Sequence, residues 1–255
     1  MQIGNASSGK SPKSAKRNAL FVAGVVAVSL FLIVGAGLLW VWASHGKPVA
    51  SWRAEGNARD SAGHNNGILV GNPKFSRGIT GEAFEFDGTG SYAKIPPSAS
   101  LNPGRQLTIE FWMKAAPGNP MNSFQGLVTT DYYGVEIANG VSFYLTSNRG
   151  AAWAITSHAS LSAGVWHHVA GTYDGAIVRL YIDGHPWGIP LKHTGAISPL
   201  PSDSFVAIGS EDGRTHFSDC IGSRYFTGLI DEVRIYGRAL SATEIKNIFD
   251  KGANK

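Results

Sequence analysis

Short alternating apolar segments, set off by Asx-Gly pairs, constrain this chain more than any other feature. The turn signals are Asn65-Asn66-Gly67, Asp87-Gly88, Asp174-Gly175, Asp183-Gly184 and Asp212-Gly213. Between them the apolar residues alternate, as in Phe84/Phe86, Ile109/Phe111/Met113 and Val178/Leu180/Ile182. A period of two puts every second side chain on one face of a strand. Short strands joined by such turns predict an all-β sandwich of two antiparallel sheets. The clearest hairpin runs Trp166–Tyr173, turns at Asp174-Gly175 and returns over Ala176–Ile182, because Asp-Gly accepts the positive φ angles of a type I′ turn. Two stretches read as long loops: Ala115–Gln125, with Pro117 and Pro120, and Gly184–Ser204, with four prolines. Loops on a rigid frame are where binding concentrates.

The C-terminal stretch Tyr225–Phe249 joins a strand to a helix. At period two, Leu229, Asp231, Val233 and Ile235 share a face, which sets a carboxylate among three aliphatics. Such a group needs hydrogen bonds, a paired charge or a cation, since burying it bare costs several kcal/mol. Ser241 and Glu244 form a capping box, with Leu240 and Ile245 as its hydrophobic staple. Ile245, Ile248 and Phe249 make the apolar stripe of a short helix, and Gly252 is placed to end it.

The N-terminal region is of another kind. Residues 1–18 read as a disordered tail, and residues 19–43 carry no charge over 25 residues, enough to cross a hydrocarbon core of about 30 Å. Lys10, Lys13, Lys16 and Arg17 precede this run and only Lys47 closely follows it. The positive-inside rule therefore puts the N-terminus in the cytoplasm and everything after the span outside. The competing reading is a cleaved signal peptide, but the run exceeds the usual apolar core of about 7–15 residues. Residues 44–50 read as a linker and 51–253 as the sandwich domain. Of the 22 basic residues five lie in positions 1–47, leaving 17 against 18 acidic residues beyond, a net of −1. The domain thus has no basic surplus for nucleic acid. Cys220 is the only cysteine, which excludes an intrachain disulfide.

The loop Asp60–Gly67 offers a carboxylate, two amide oxygens and several backbone carbonyls. Calcium takes six to eight oxygens, so the loop is short of charge for it. A second carboxylate from Asp231 would supply the charge, and the cation would compensate the stranded Asp231. The candidate ligands are Asp60, Gly63, Asn65, Asn66 and Asp231; the alternative is an Asx turn closed by backbone amides. His167 and His168 are neighbours on a strand and point to opposite faces, so they cannot chelate one metal. No GxSxG is present to anchor a serine nucleophile. Tyr132, Tyr133, Trp153, His158, His185 and Trp187 lie in less patterned segments and are the candidates for stacking on a sugar ring.

Four segments resemble a known family in its order. They are GEAFEFDGTGSYAKIP (Gly81–Pro96), LTIEFWMKA (Leu107–Ala115), GVWHHVAGTYDGAIVRLYIDG (Gly164–Gly184) and GLIDEVRIYGRALSATEI (Gly228–Ile245). The chain looks like a laminin-G-like jelly-roll domain of the concanavalin A-like superfamily over roughly Trp52 to Gly252. The resemblance implies a jelly-roll sandwich with a short C-terminal helix, and non-catalytic recognition of carbohydrate or, alternatively, of a cell-envelope protein as an adhesion or scaffold module. It also implies a structural calcium ion between the early loop, at Asp60 and Asn65 or Asn66, and Asp231. Glucanases of this fold need carboxylates on one strand face about 5–5.5 Å apart. Glu85-Phe86-Asp87, followed by Gly-Thr-Gly, and the adjacent pair Asp231-Glu232 do not fit their pattern, so a glycoside hydrolase is the weaker reading.

Overall fold

The computed structural model describes residue 1 and residues 46–254, except 120, 122, 139, 156–160 and 212–224. The chain divides into two units, residues 1–47 and 48–255, and every element named below belongs to the second. The expected span at 19–43, His158 and Cys220 lie outside the described residues. Among the described residues no helix is long and apolar enough to cross a membrane.

Among the described residues two antiparallel sheets account for all the strands. The eight-stranded sheet runs β13 (His185–Lys192), β12 (Ile177–Ile182), β11 (His167–Tyr173), β6 (Leu107–Ala115), β15 (Thr227–Tyr236), β4 (Glu82–Asp87) and β3 (Lys74–Arg77), with β1 (Ala50–Trp52) paired to β15 off this path. The seven-stranded sheet runs β10 (Gly150–Ile155), β9 (Val141–Ser147), β8 (Tyr133–Ile137), β7 (Gln125–Thr129), β14 (Val206–Ile208), β5 (Tyr92–Ile95) and β2 (Ile68–Val70). The alternating residues fill the space between them. Phe84, Phe86, Ile109, Phe111, Met113, Val178, Leu180 and Ile182 all belong to one buried core with Tyr133, Phe143 and Trp52. Val49 and Ala50, expected in the linker, already hydrogen-bond or pair with Ile235 of β15, so the domain starts sooner than its sequence suggests.

Three local expectations are corrected. The Asp174-Gly175 turn has a positive φ only at Gly175. The two-residue turn with both φ angles positive is Asp183-Gly184, joining β12 to β13, which is the type I′ signature. The stretch expected as a loop from Gly184 contains the strand β13. It is an edge strand, where proline is tolerated because an outward-facing N–H has no ladder partner to lose. Within β15, Asp231 pairs with Trp112 and Arg234 with Glu110, so Glu232 and Val233 together oppose Phe111. This bulge, with Glu232 at φ 51°, shifts the alternation by one residue. Ile230, Val233 and Ile235 face the core, and Asp231 stands on the outer face beside Trp112.

The helix α1 (Ala242–Ala253) forms as its caps predict. Ser241 Oγ accepts the Glu244 N–H, while the Glu244 side chain accepts from the Ser241 N–H at 2.8 Å. Leu240 and Ile245 bury in a second cluster with Ala170, Tyr181 and Tyr236 on the outer face of the larger sheet. Phe249 stacks on Trp112 at 5.6 Å, so Trp112 lies beneath the helix and not between the sheets. Gly252 does not end the helix. It lies against the Trp112 ring, where a methyl group would sit 2.5 Å from Cζ2.

Phe143 of β9 packs across the sandwich on Gly171 of β11. A methyl group on Gly171 would lie 2.3 Å from the phenyl ring, and both residues are built into strands that cannot easily move apart. Gly171→Ala is therefore expected to destabilise the fold by roughly 1–3 kcal/mol, the usual cost of overpacking a core. Chemical denaturation of the variant checks this; an unchanged midpoint would contradict it.

Candidate functional site

The two carboxylates expected to share a cation are each closed by backbone amides. Asp60 opens the loop that follows β1. Its Oδ1 accepts the N–H groups of Ser51, Ala62 and Gly63 at 2.9, 2.9 and 3.0 Å. Its Oδ2 accepts the N–H and Nδ2 of Asn65, both at 2.9 Å. Burial pushes this carboxyl up, yet the bonds from Ser51, Asn65, Ala62 and Gly63 outweigh it and hold it below the ordinary carboxylate range. The remaining loop oxygens are also engaged. Asn65 Oδ1 accepts from Ser98 and from Ser100, the latter at 2.8 Å, and Asn66 Oδ1 accepts the Asp60 N–H at 3.0 Å.

Asp231 has no exposed surface. Its Oδ2 accepts the N–H groups of Ile79 and Thr80 at 2.9 and 3.1 Å, and its Oδ1 that of Glu232 at 2.7 Å. Glycine at position 78 permits this approach, since a methyl group there would lie 2.4 Å from Oδ2. Burial pushes the Asp231 carboxyl up, the Thr80 and Ile79 amides pull it partly back, and Glu55 adds repulsion, leaving it at about 7.

An N–H aimed at a carboxylate oxygen takes one of the roughly four lone-pair sites of the group. The oxygens of Asp60, Asn65, Asn66 and Asp231 all face protein donors, and no described bond joins the two carboxylates through a common partner. Among the described residues no group of three or more His, Cys, Asp or Glu side chains is arranged to hold a metal. A calcium ion at these oxygens would have to share them with these amides. Asp60, accepting the N–H two residues on, makes the Asx turn, while Asp231 is held by amides from the distant Ile79 and Thr80.

A separate polar network lies under α1. Glu110 is fully buried, with Oε1 2.8 Å from Arg234 Nη1 and Oε2 3.1 Å from His168 Nε2. Burial pushes Glu110 up, but the His168 hydrogen bond and the Arg234 charge overcome it and hold the carboxyl low. Arg234 also pairs with Glu232, and Glu232 with Arg53 at 3.3 Å. His168 packs 5.3 Å from Trp112, while His167 turns the other way, toward Asp183 at 2.9 Å. The two histidines thus diverge as adjacent strand residues must.

The aromatic candidates separate on burial. Tyr133 is in the core, its hydroxyl donating to Leu101 O at 2.6 Å, so it presents nothing to a ligand. Tyr132 is half-buried between β7 and β8, and the Trp153 side chain lies outside the described set. His185 and Trp187 are brought together on β13, every residue of which is exposed. Trp187 is 38% exposed, Leu191 38% and Ile189 91%. Trp187 pairs with Leu180 and Leu191 with Val178, so the three residues Gly188–Pro190 oppose only Arg179 and the strand bulges there. Sequence reasoning missed Ile189 and Leu191. Their signal was the alternation His-Pro-Trp-Gly-Ile-Pro-Leu, obscured by its prolines.

Two antiparallel sheets with an exposed edge strand define a β-sandwich. The chain belongs to the laminin-G-like family of the concanavalin A-like lectin/glucanases superfamily, whose model matches residues 87–246. Among curated proteins it is similar to a Sushi, von Willebrand factor type A, EGF and pentraxin domain-containing protein 1 of Rattus norvegicus, 26% identical over 66% of this chain and 5% of that protein. It is also similar to the adhesion G-protein coupled receptor V1 of Danio rerio, 27% identical over 68% of this chain and 3% of that protein. Among solved structures, domain 4 of AbnA, an extracellular GH43 arabinanase from Geobacillus stearothermophilus in complex with arabinotriose, matches with TM-score 0.60 and 18% identity, covering 79% of this chain and 98% of that one. The binding domain of Paraclostridial Mosquitocidal Protein 1 matches with TM-score 0.64 and 17% identity over 80% and 52%. At these identities the structural likeness is one of fold. The mosquitocidal protein match is itself a binding domain.

Asp231 generates a pH prediction. Its folded pKa of about 7 lies above the ordinary aspartate value of about 3.9, so its contribution is present below that value and is lost as pH rises through about 7. Raising the pH from about 5 to about 8 should cost the wild type stability relative to Asp231→Asn, by at most about 1.4 kcal/mol per pH unit. Melting temperatures of both proteins across this range check it. Parallel pH profiles would contradict it.

Proposed function

We propose that this chain is a non-catalytic recognition module for carbohydrate, held outside the membrane by residues 19–43 with its N-terminus in the cytoplasm. The observation that carries the binding reading is the edge strand β13, where Trp187 presents an exposed indole beside His185 on a rigid sheet. An indole face stacks on the apolar face of a sugar ring, while neighbouring polar groups meet its hydroxyls. AbnA domain 4 supports the reading by analogy of fold, since that domain was solved with a bound trisaccharide. The membrane reading rests on the uncharged run at 19–43 and the cationic side chains before it.

The chemistry of the described carboxylates favours binding over hydrolysis. A general acid needs a raised pKa at a place the substrate can reach. Asp231 is raised but has no exposed surface. Asp87, two residues from Glu85 on β4, is held down to about 2 by hydrogen bonds from Thr89 and Ser91, so it stays ionised. Glu110 is buried between His168 and Arg234.

A glycan array probed with the full chain in detergent tests this reading. Wild type is expected to bind a glycan, and Trp187→Ala, with its melting temperature unchanged, to lose roughly tenfold or more in affinity. Absence of glycan binding, or release of reducing sugar, would overturn it.

A further inference from the structure

Acidic residues are sparse around β13. Between Glu136 and Asp203 the chain contains only two acidic residues, Asp174 and Asp183. Both are occupied: Asp174 by Arg179 Nη1 at 2.7 Å, Asp183 by His167 Nδ1 at 2.9 Å. Three cations gather at the C-terminal end of β13. Lys192 is its last residue and is followed by His193, whose Nε2 lies 2.8 Å from Ser147 Oγ. Arg149 lies in the β9–β10 turn, its Cγ 3.0 Å from where a methyl group on Gly195 would sit. Arg105 follows Gly104, whose carbonyl accepts the Ile197 N–H at 2.7 Å, and its charge acts on Tyr173, the residue whose hydroxyl donates to Gly195 O at 2.8 Å. Arg105, Arg149 and Lys192 are exposed, and none has a carboxylate partner among the described residues. They surround the segment 193–197. This local surplus stands out against a domain whose formal charge is close to zero.

We propose that β13 and this cationic cluster form one binding surface for an acidic polysaccharide carrying carboxylate or sulfate groups. Trp187 supplies the stacking face, Ile189 and Leu191 the apolar track, and Lys192, Arg149 and Arg105 meet the acid groups. From Trp187 to Lys192 the bulged strand runs alongside Leu180 to Ile177, roughly 10 Å at about 3.3 Å per residue, which suits a short run of polymer better than one sugar. Another β-strand is a poor occupant of this edge, because Pro186 and Pro190 have no N–H to offer a ladder. Exposed, unpaired cations attract a polyanion through a field that salt screens, so binding here must weaken as ionic strength rises. The inference rests on the carbohydrate reading above and adds the class of glycan.

The test compares dextran, dextran sulfate and polygalacturonate as probes for the full chain in detergent, at low and high salt. Wild type is expected to bind at least one acidic polymer tenfold or more tightly than dextran, with affinity falling as salt is raised. Binding only dextran sulfate or only polygalacturonate assigns the acid group as sulfate or carboxylate. The triple variant Arg105→Glu, Arg149→Glu, Lys192→Glu should lose this preference. Arg77→Glu, on the opposite edge strand β3, should keep it. The cationic residues 10–17 are common to all variants, so these differences belong to the domain. Two results would overturn the inference while leaving carbohydrate recognition standing: dextran bound as tightly as the acidic polymers, or a triple variant that binds them as well as Arg77→Glu does. If wild type binds neither these polymers nor any arrayed glycan, both readings fall together.

Discussion

The bulge in β15 is the constraint on which the rest of this domain depends. By setting two residues against Phe111, it turns Ile230, Val233 and Ile235 all toward the core, although strict alternation would have turned Ile230 away. The same irregularity sends Asp231 to the outer face, where the loop at Gly78–Thr80 closes over it with two N–H donors. One carboxylate thus ties the central strand to the turn between β3 and β4. It also receives the Glu232 N–H from within the bulge, where φ is 51°. Burial makes this brace costly when ionised, and the raised pKa reflects that cost.

Asp60 performs the same task with a different balance. Four backbone amides and one side-chain amide meet it, enough to keep its carboxyl below the ordinary range despite burial. Its loop thereby fixes Asn65, whose carbonyl takes the indole N–H of the core residue Trp52 at 2.8 Å. Both braces lie on the flanks of β1 and β15, which pair with each other. At the opposite edge of the larger sheet β13 stays open to solvent. Rigidity at one side and exposure at the other fit a module that presents a fixed surface.

Much of this was legible in the residues. Alternation in β4, β6 and β12 identified the core side chains, and Ser241 with Glu244 marked the helix start to the residue. The resemblance carried by the four segments anticipated the family. What stayed hidden has a common cause, which is that sequence shows polar atoms but not the direction of backbone N–H groups. The Asp60 loop displays oxygens in the right number for calcium, and only the fold reveals amides pointing at them. The bulge is equally silent, because a glutamate, not a glycine, takes the positive φ. In β13 two prolines masked a strand, since proline argues against a central strand but not against an edge. The cationic cluster is drawn from Arg105, Arg149 and Lys192, positions far apart in sequence and joined only by the turns around Gly195.

The central claim is that Asp60 and Asp231 are braces held by backbone amides. Amide NMR of Ser51, Ala62, Gly63, Asn65, Ile79, Thr80 and Glu232 in the full chain, with calcium and with chelator, tests it most directly. If the claim holds, these N–H groups exchange slowly with solvent and keep the same shifts in both conditions. Shifts that move on adding calcium, with the amides released to exchange, would show a cation taking the carboxylates and would contradict it.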